Sequence, residues 1–356
     1  MVRPGDPSRG RWWGGGARRR VALARVSLAA GLLLAPVRTA TAEPLGDFPT
    51  PAALAPAVRF WVDVFTRYAS DQAIIHDRLE PWIVYEVAPR SADVIAARVQ
   101  AIEERLSLVA FAAGTPIAFP PVGLLPEAVQ KPRLRVQRGM REAFAAALAA
   151  QRLYRPMVER ALRREGLPLA LAALPLVESS YHPAARSEAG AVGLWQLTRQ
   201  TGRRYLKIVG SVDERRDPVR ASDAAARHLR ELREALPSWP LAITAYNRGL
   251  YGLQQARETI GSDDLGDLVT RYRGPGFDFS SRNFYAKFLA GLHVMRHAGR
   301  YFPELAPVRM VEYQVRRGDT LSGVARRHGV SLASLRVTNG LRSAALQPGQ
   351  RILIRL

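Results

Sequence analysis

Apolar side chains recur along most of this chain at intervals of three and four residues. Phe60, Trp61, Val64, Phe65 and Tyr68 set the pattern, which is that of a helix burying one face. Ala92 to Ala110 and Val136 to Ala150 are further helical runs, divided by Gly114-Thr115-Pro116 and by Pro120, Pro121 and Pro126. From Arg152 to about Arg300 the helical period persists. Leu171, Leu174 and Val177 form one stripe, Ser222 is placed to cap a helix running through Glu234, Leu241 to Tyr246 begins another, and Ser281 to His297 is a long one. No strand-helix alternation interrupts this, so a mainly α fold is expected. Trp61, His76 and Tyr85 read as packing or capping residues.

The pattern changes past Ala306-Pro307. Tyr313-Gln314-Val315 and Arg351-Ile352-Leu353-Ile354 read as strands, with helices over Thr320 to His328 and Leu332 to Thr338 between them. The expected organisation is a leader over 1–42, a helical region over 43–150, a second helical domain over 151–305 and a small β-α-α-β module over 311–356.

The leader carries Arg11, Arg18, Arg19, Arg20 and Arg25, then the short apolar run Val26 to Pro36, and ends at Ala40-Thr41-Ala42. That is the order of a secretory signal, and the apolar run falls well short of the roughly 20 residues that span a bilayer. Export is the expectation, with a mature start at Glu43 and a periplasmic location. The chain has no cysteine, which removes disulfides, thiol nucleophiles, thiolate metal sites and a lipid anchor on a cysteine. The formal charge is +21, and without the leader 44 basic residues face 30 acidic ones, leaving +14. A polyanionic neighbour suits that charge. Export disfavours nucleic acid, and Arg215-Arg216 and Arg316-Arg317 are isolated pairs rather than a basic stripe with aromatics.

Chemistry concentrates at Glu178. Four of the five preceding residues are apolar and Pro175 lies one turn earlier, a setting that desolvates the acid and raises its pKa. Taken alone, Glu178 fits equally well a helix-end glutamate paired with Arg186. Its company favours use. Ala189-Gly190-Ala191-Val192-Gly193 offers small residues where a polymer approaches the backbone, Trp195 a flat surface, and Gln196, Tyr246 and Asn247 amides and a hydroxyl.

Four motifs stand in order: Glu178-Ser179, Gly193 to Gln196, Ala245-Tyr246-Asn247, and Tyr285 within Arg282-Asn283-Phe284-Tyr285-Ala286-Lys287. Over about Pro156 to Gly299 the chain thereby resembles the lytic murein transglycosylases of the Slt/membrane-bound transglycosylase D type, which share their fold with goose-type lysozyme. The resemblance implies a lysozyme-like helical domain in which Glu178 is the sole catalytic carboxylate. It would protonate the oxygen between N-acetylmuramic acid and N-acetylglucosamine, then accept the muramoyl C6 hydroxyl proton as that oxygen attacks C1, leaving a 1,6-anhydromuramoyl end. It also implies substrate contacts at Ser187, Gln196, Tyr246 and Asn247, with Tyr285 hydrogen-bonded to Glu178 and orienting it. Arg248 departs from the family pattern and is placed either to meet the muramoyl lactate or to point away.

Tyr313 to Ile354 resembles a LysM domain through Gly318-Asp319-Thr320-Leu321, Asn339-Gly340-Leu341 and Pro348-Gly349-Gln350. Glycan contacts at Gly318, Asp319, Thr320, Leu321, Asn339 and Leu341 are implied, with peptidoglycan strands as the partner. A hydrolase using two carboxylates is the alternative enzyme, with Glu188, Asp213, Glu214 and Asp217 available in the same half of the domain. The charge alternation from Asp213 to Pro218 reads instead as ion pairs fixing a loop. A wall-binding scaffold without activity is the non-enzymatic alternative. No metal and no cofactor are implied: His293 and His297 are four apart but lack the remaining zinc ligands.

Overall fold

A computed structural model describes residues 46–112, 134–305, 309–341 and 343–355, without side chains for 107–112. The expected leader and its cleavage site lie outside the described residues. No helix among the described residues is long and apolar enough to cross a membrane.

Helix α1 (Ala55–Thr66) buries Phe60, Trp61, Val64 and Phe65 on one face, as their spacing predicts. Beyond α1 the chain departs from the expected helical region. Three strands form an antiparallel sheet in the order β2-β1-β3, with β1 at Gln72–Asp77, β2 at Val84–Pro89 and β3 at Leu134–Arg138. Ile74 pairs with Val87 on one side and Gln137 on the other. Strand β1 is buried on both faces from Ala73 to Asp77, so its sequence carries no alternation to betray it. Helix α2 (Ala92–Ala112) lies beside β2, where Arg98 reaches Glu86 at 3.2 Å. Val136 belongs to β3, and the expected helix begins only at Arg141.

Helix α3 (Arg141–Arg164) runs straight through the expected boundary at residue 150, because the core does too. One apolar cluster extends from Phe48 to Phe302 and joins α1 to the later helices. Arg141 ties the same regions by donating to Thr66 O and Tyr301 O and pairing with Glu304.

The second half is helical as expected, with the long elements α6 (Pro218–Ala235), α7 (Trp239–Arg248), α8 (Leu250–Ile260) and α10 (Phe279–Arg296) around two short ones, α4 (Leu174–Ser179) and α5 (Arg199–Arg203). A small hairpin of β4 (Ile208–Val209) and β5 (Val212–Asp213) separates α5 from α6. Helix α9 (Leu265–Arg271) precedes α10, and α11 (Ala298–Tyr301) follows it. Asp217 rather than Ser222 caps α6, accepting from Val219 N and Arg220 N. Ser222 is buried inside α6, where its hydroxyl receives Trp195 Nε1 at 2.8 Å.

The C-terminal module matches its sequence pattern closely. Strands β6 (Met310–Gln314) and β7 (Arg351–Arg355) pair antiparallel, enclosing α12 (Leu321–Arg327) and α13 (Leu332–Asn339). Its core is Val315, Leu321, Val324, Leu335, Ile352 and Ile354. Helix α13 also meets α3: Arg160 donates to Asn339 O, and Val337 packs on the large core.

Candidate functional site

Glu178 sits on the last turn of α4, a helix too short to stand alone and held by its burial. Val177 lies against Gly291, where an added Cβ would come within 3.1 Å of its Cγ1, so α4 is seated directly on α10. The helix ends in two consecutive left-handed residues, Ser180 (φ 52°) and Tyr181 (φ 57°). Tyr181 is fully buried and anchors this turn by donating to Ala172 O at 2.6 Å.

The Gly193–Gln196 turn is locked beside it. Gly193 has φ +84°, and an added Cβ would collide with Arg215 O, so no other residue fits. Every carbonyl from 193 to 195 receives a side chain: Gln196 Nε2 at Gly193 O (2.9 Å), Ser179 Oγ at Leu194 O (2.7 Å) and Tyr246 Oη at Trp195 O (2.7 Å). The serine after Glu178 therefore joins the acid's helix to this turn. Gln196 itself is held at φ 46°, a left-handed conformation that a non-glycine residue adopts only under constraint.

Burial of the half-buried Glu178 side chain pushes its pKa up to about 8, and the Lys287 ammonium opposes that rise. The carboxyl is thus protonated at neutral pH. Its electrostatic neighbours are Lys287 on α10 and Tyr246 on α7. Lys287 stands 4.4 Å above the Trp61 ring, and its own pKa is lowered, first by burial. The sequence motifs point to Tyr285 and pass over Lys287, although Lys287 closes the same motif. A signal for it is present: Lys287 lies on the same helix face as Phe284 and Gly291, among residues that pack inward.

Several expected roles change. Tyr285 is buried, and its hydroxyl donates to Pro49 O at 2.9 Å rather than to Glu178; it pins the chain at residues 46–54 to α10. Tyr246 is the tyrosine that faces the acid. Trp195 is fully buried and presents no flat surface to a sugar. Ser187 accepts from Ala191 N at 3.0 Å within its turn. Asn247 is exposed beside the site, with Oδ1 accepting from Ser281 Oγ at 3.2 Å; among the described residues its amide nitrogen has no partner. Arg248 donates to Pro275 O at 2.8 Å, with its guanidinium against Gly252 and Gly276.

The alternative carboxylates are engaged elsewhere. Asp213 pairs with buried Arg215 at 2.7 Å, Glu214 accepts from Lys207 N and meets Arg220, and Asp217 caps α6. Arg215 also donates to Gly190 O and Leu197 O, so the ion pairs do fix the loop against the site. Glu188 is exposed. Among the described residues no group of three or more His, Asp or Glu side chains is placed to hold a metal ion. His293 bonds Tyr301 Oη at 2.9 Å with its Nε2.

In the C-terminal module the motif residues divide. Asn339 is buried, donating to Leu335 O and Leu353 O and accepting from Leu353 N at 2.7 Å, so its side chain is saturated inside the module. Leu321 is core. Asp319 accepts from Tyr313 Oη and Arg316 N and pairs with Arg327 at 3.1 Å, which holds its carboxyl well below the usual range, the tyrosine bond first among the causes. Gly318 and Thr320 remain at the surface, and Leu341 is half-buried.

Comparison with known proteins places these features. Residues 156–264 match the transglycosylase SLT domain family, and residues 313–355 match the LysM domain family. Membrane-bound lytic murein transglycosylase D of Escherichia coli (strain K12) is 26% identical over 54% of this chain and 61% of its own length. Membrane-bound lytic murein transglycosylase F of Ectopseudomonas mendocina (strain ymp) is 29% identical over 44% of this chain and 35% of its own length. The chain thus spans about three fifths of the first relative and a third of the second. The 70 kDa soluble lytic transglycosylase SLT70 of Escherichia coli aligns at a TM-score of 0.35 with 19% identity, over 41% of this chain and 24% of that one. The chain therefore contains a transglycosylase SLT domain followed by a LysM domain.

Proposed function

We propose that the protein is a lytic transglycosylase that cleaves the β-1,4 bond between N-acetylmuramic acid and N-acetylglucosamine in peptidoglycan and leaves a 1,6-anhydromuramoyl end. One observation carries this reading: Glu178 is protonated at neutral pH and has no carboxylate among its electrostatic neighbours within the described residues, while Asp213, Glu214 and Asp217 are tied up elsewhere and Glu188 is exposed on its turn. A two-carboxylate retaining glycosidase needs its second group about 5 Å from the first, and an inverting one needs it at about 6.5–9.5 Å.

The chemistry then falls to one residue in sequence. Glu178 donates its proton to the glycosidic oxygen as the C1–O bond breaks. The resulting carboxylate, held near the Lys287 ammonium, accepts the C6 hydroxyl proton as that oxygen closes on C1. Acid and base steps balance, and water takes no part. Asn247 offers an amide donor at the edge of the site, and Tyr246 with Gln196 keeps the Gly193–Gln196 turn in place. The LysM module would keep the enzyme on its polymer through the Gly318 and Thr320 edge, converting a weak contact into high local concentration. Export to the periplasm accompanies this reading.

Digestion of purified peptidoglycan by the wild type and by Glu178→Gln, with mass analysis of the products, tests the proposal. Anhydromuramoyl ends that disappear in the variant are the expected result. Reducing muramoyl ends would select a hydrolase, and wall binding without turnover by the wild type would select a scaffold.

A further inference from the structure

Trp61, whose spacing marks it as a packing residue, stands beside the cation that acts on Glu178. The chain uses arginine at 49 positions and lysine at only three, Lys131, Lys207 and Lys287. Position 287 thus departs from the habit of the chain at the one place where a cation acts on the acid. An ammonium is a compact point charge, whereas a guanidinium is a planar fork that closes bidentate pairs with carboxylates. An arginine at 287 would be drawn into such a pair and would hold Glu178 ionised, which abolishes the acid step.

Lys287 and Glu178 influence each other through space, yet among the described residues neither closes an ion pair, and Lys287 donates no hydrogen bond. What engages the ammonium is the face of the Trp61 ring, 4.4 Å away. That ring is fully buried and held in place: Nε1 donates to Asn283 Oδ1 at 3.3 Å, and Phe60, Phe65 and Phe279 pack around it. Asn283 is fixed in turn by donating to Phe279 O at 3.0 Å. The charged groups that act on Lys287 are Glu178 on α4 and Arg135 on β3, whose guanidinium lies 4.2 Å over the Phe279 ring and repels the ammonium; Tyr246 on α7 faces Glu178. Burial and Arg135 therefore act against the charge on Lys287, and Trp61 and Glu178 act for it. A ring face attracts a cation without carrying an anionic charge that would neutralise it. The ammonium is thereby kept charged while the acid is still protonated, and it is in place once the proton has left for the glycosidic oxygen.

We infer that Trp61 is a positioning residue for the reaction at Glu178: its ring holds the Lys287 ammonium near the acid but out of an ion pair with it, so that α1, which lies outside residues 156–264, is part of the active site. This rests on the proposed reaction and deepens it. Trp61 acts through Lys287 and touches no substrate, so its contribution belongs to kcat rather than to KM.

Because Trp61 is core, truncating it would confuse function with folding, and the test instead places fluorinated tryptophans at position 61 alone in the full chain. Successive fluorines weaken the negative face of the ring at nearly constant shape. Two readouts are followed: kcat and KM on peptidoglycan, and the titration midpoint of Lys287 from its ¹³C-labelled Cε. With only three lysines in the chain, that resonance is assigned by its loss in Lys287→Met. The expected result is a stepwise fall in kcat, to about tenfold for the fully fluorinated benzenoid ring, at unchanged KM and Tm, with the Lys287 midpoint moving down in the same order. A flat kcat series overturns the role, and so does a fall in kcat with the Lys287 midpoint unmoved, which would make Trp61 a packing residue alone. Absence of turnover by the unsubstituted protein refutes the proposed reaction instead. The midpoint series still reads the placement of the ammonium in that case: a stepwise downward shift supports it, and a constant midpoint overturns it.

Discussion

The Glu178 site and the LysM module are both marked by short polar motifs, yet the two treat their polar groups in opposite ways. In the module Asp319 and Asn339 spend their hydrogen-bonding capacity internally, on Tyr313, Arg316, Arg327, Leu335 and Leu353. Around Glu178 the satisfied groups are the supports, Ser179, Gln196 and Tyr246, while Glu178 is left desolvated and Asn247 exposed. A motif can therefore mark a fold-holding residue or a reacting one. The division depends on whether the side chain's partners are already in place.

Glu178 is where this contrast should be most visible. Glu178→Gln should lower turnover by about 10²–10⁴-fold, the usual share of a general acid-base group, while retention on the wall is unchanged. The same variant has a stability signature. The folded-state pKa is raised, so between 4.5 and about 8 the native chain holds a proton that the unfolded chain has released, and stability falls as pH rises through that window. Glu178→Gln should lack that decline, so its Tm advantage over the wild type should widen from pH 5 to pH 8; a constant difference would contradict the burial account.

Asn339 should show the reverse profile. Asn339→Ala leaves Leu353 N and two carbonyls without partners in the module's interior, at a cost of about 2–4 kcal/mol, seen as early melting of the module and loss of wall retention while turnover on soluble glycan persists. Thr320→Ala, which removes the cap on Gly323 N and an exposed contact with Ser322 Oγ, should cost about 1 kcal/mol.

The two tyrosines test which of them serves the acid. Tyr246→Phe orphans Trp195 O beside the site and should lower kcat severalfold, whereas Tyr285→Phe orphans Pro49 O and should lower stability by about 1 kcal/mol with little change in kcat. Equal kcat effects would erase the distinction between them. A subtler change is expected for Lys287→Met. Removing the ammonium that opposes the raised pKa of Glu178 should move the alkaline limb of the pH-rate profile upward by roughly half a unit to one unit.

Much of the fold is legible in the sequence where local signals agree with the packing. The LysM elements show their strand and helix periods plainly, and Thr320 caps where its position predicts. The acid and its motif order are equally plain. The β1–β2 hairpin is not, because Ile74 and Ile75 are buried on both faces and give no alternation. Nor is the continuity of the core from Phe48 to Phe302, which depends on α1 packing along α10 across some two hundred residues of chain. Tyr285 and Trp195 mislead for one reason: a motif position states that a residue matters, and only its burial states to what.

If one carboxylate and the substrate's own hydroxyl complete the reaction, water never enters the product. Digestion of peptidoglycan in water enriched in heavy oxygen, with mass analysis of the released ends, reads this without intermediary. Muramoyl ends lighter than the hydrolysed product by one water, and free of heavy oxygen, are expected. Ends that carry one added labelled water would overturn the single-carboxylate mechanism and return the chemistry to a hydrolase.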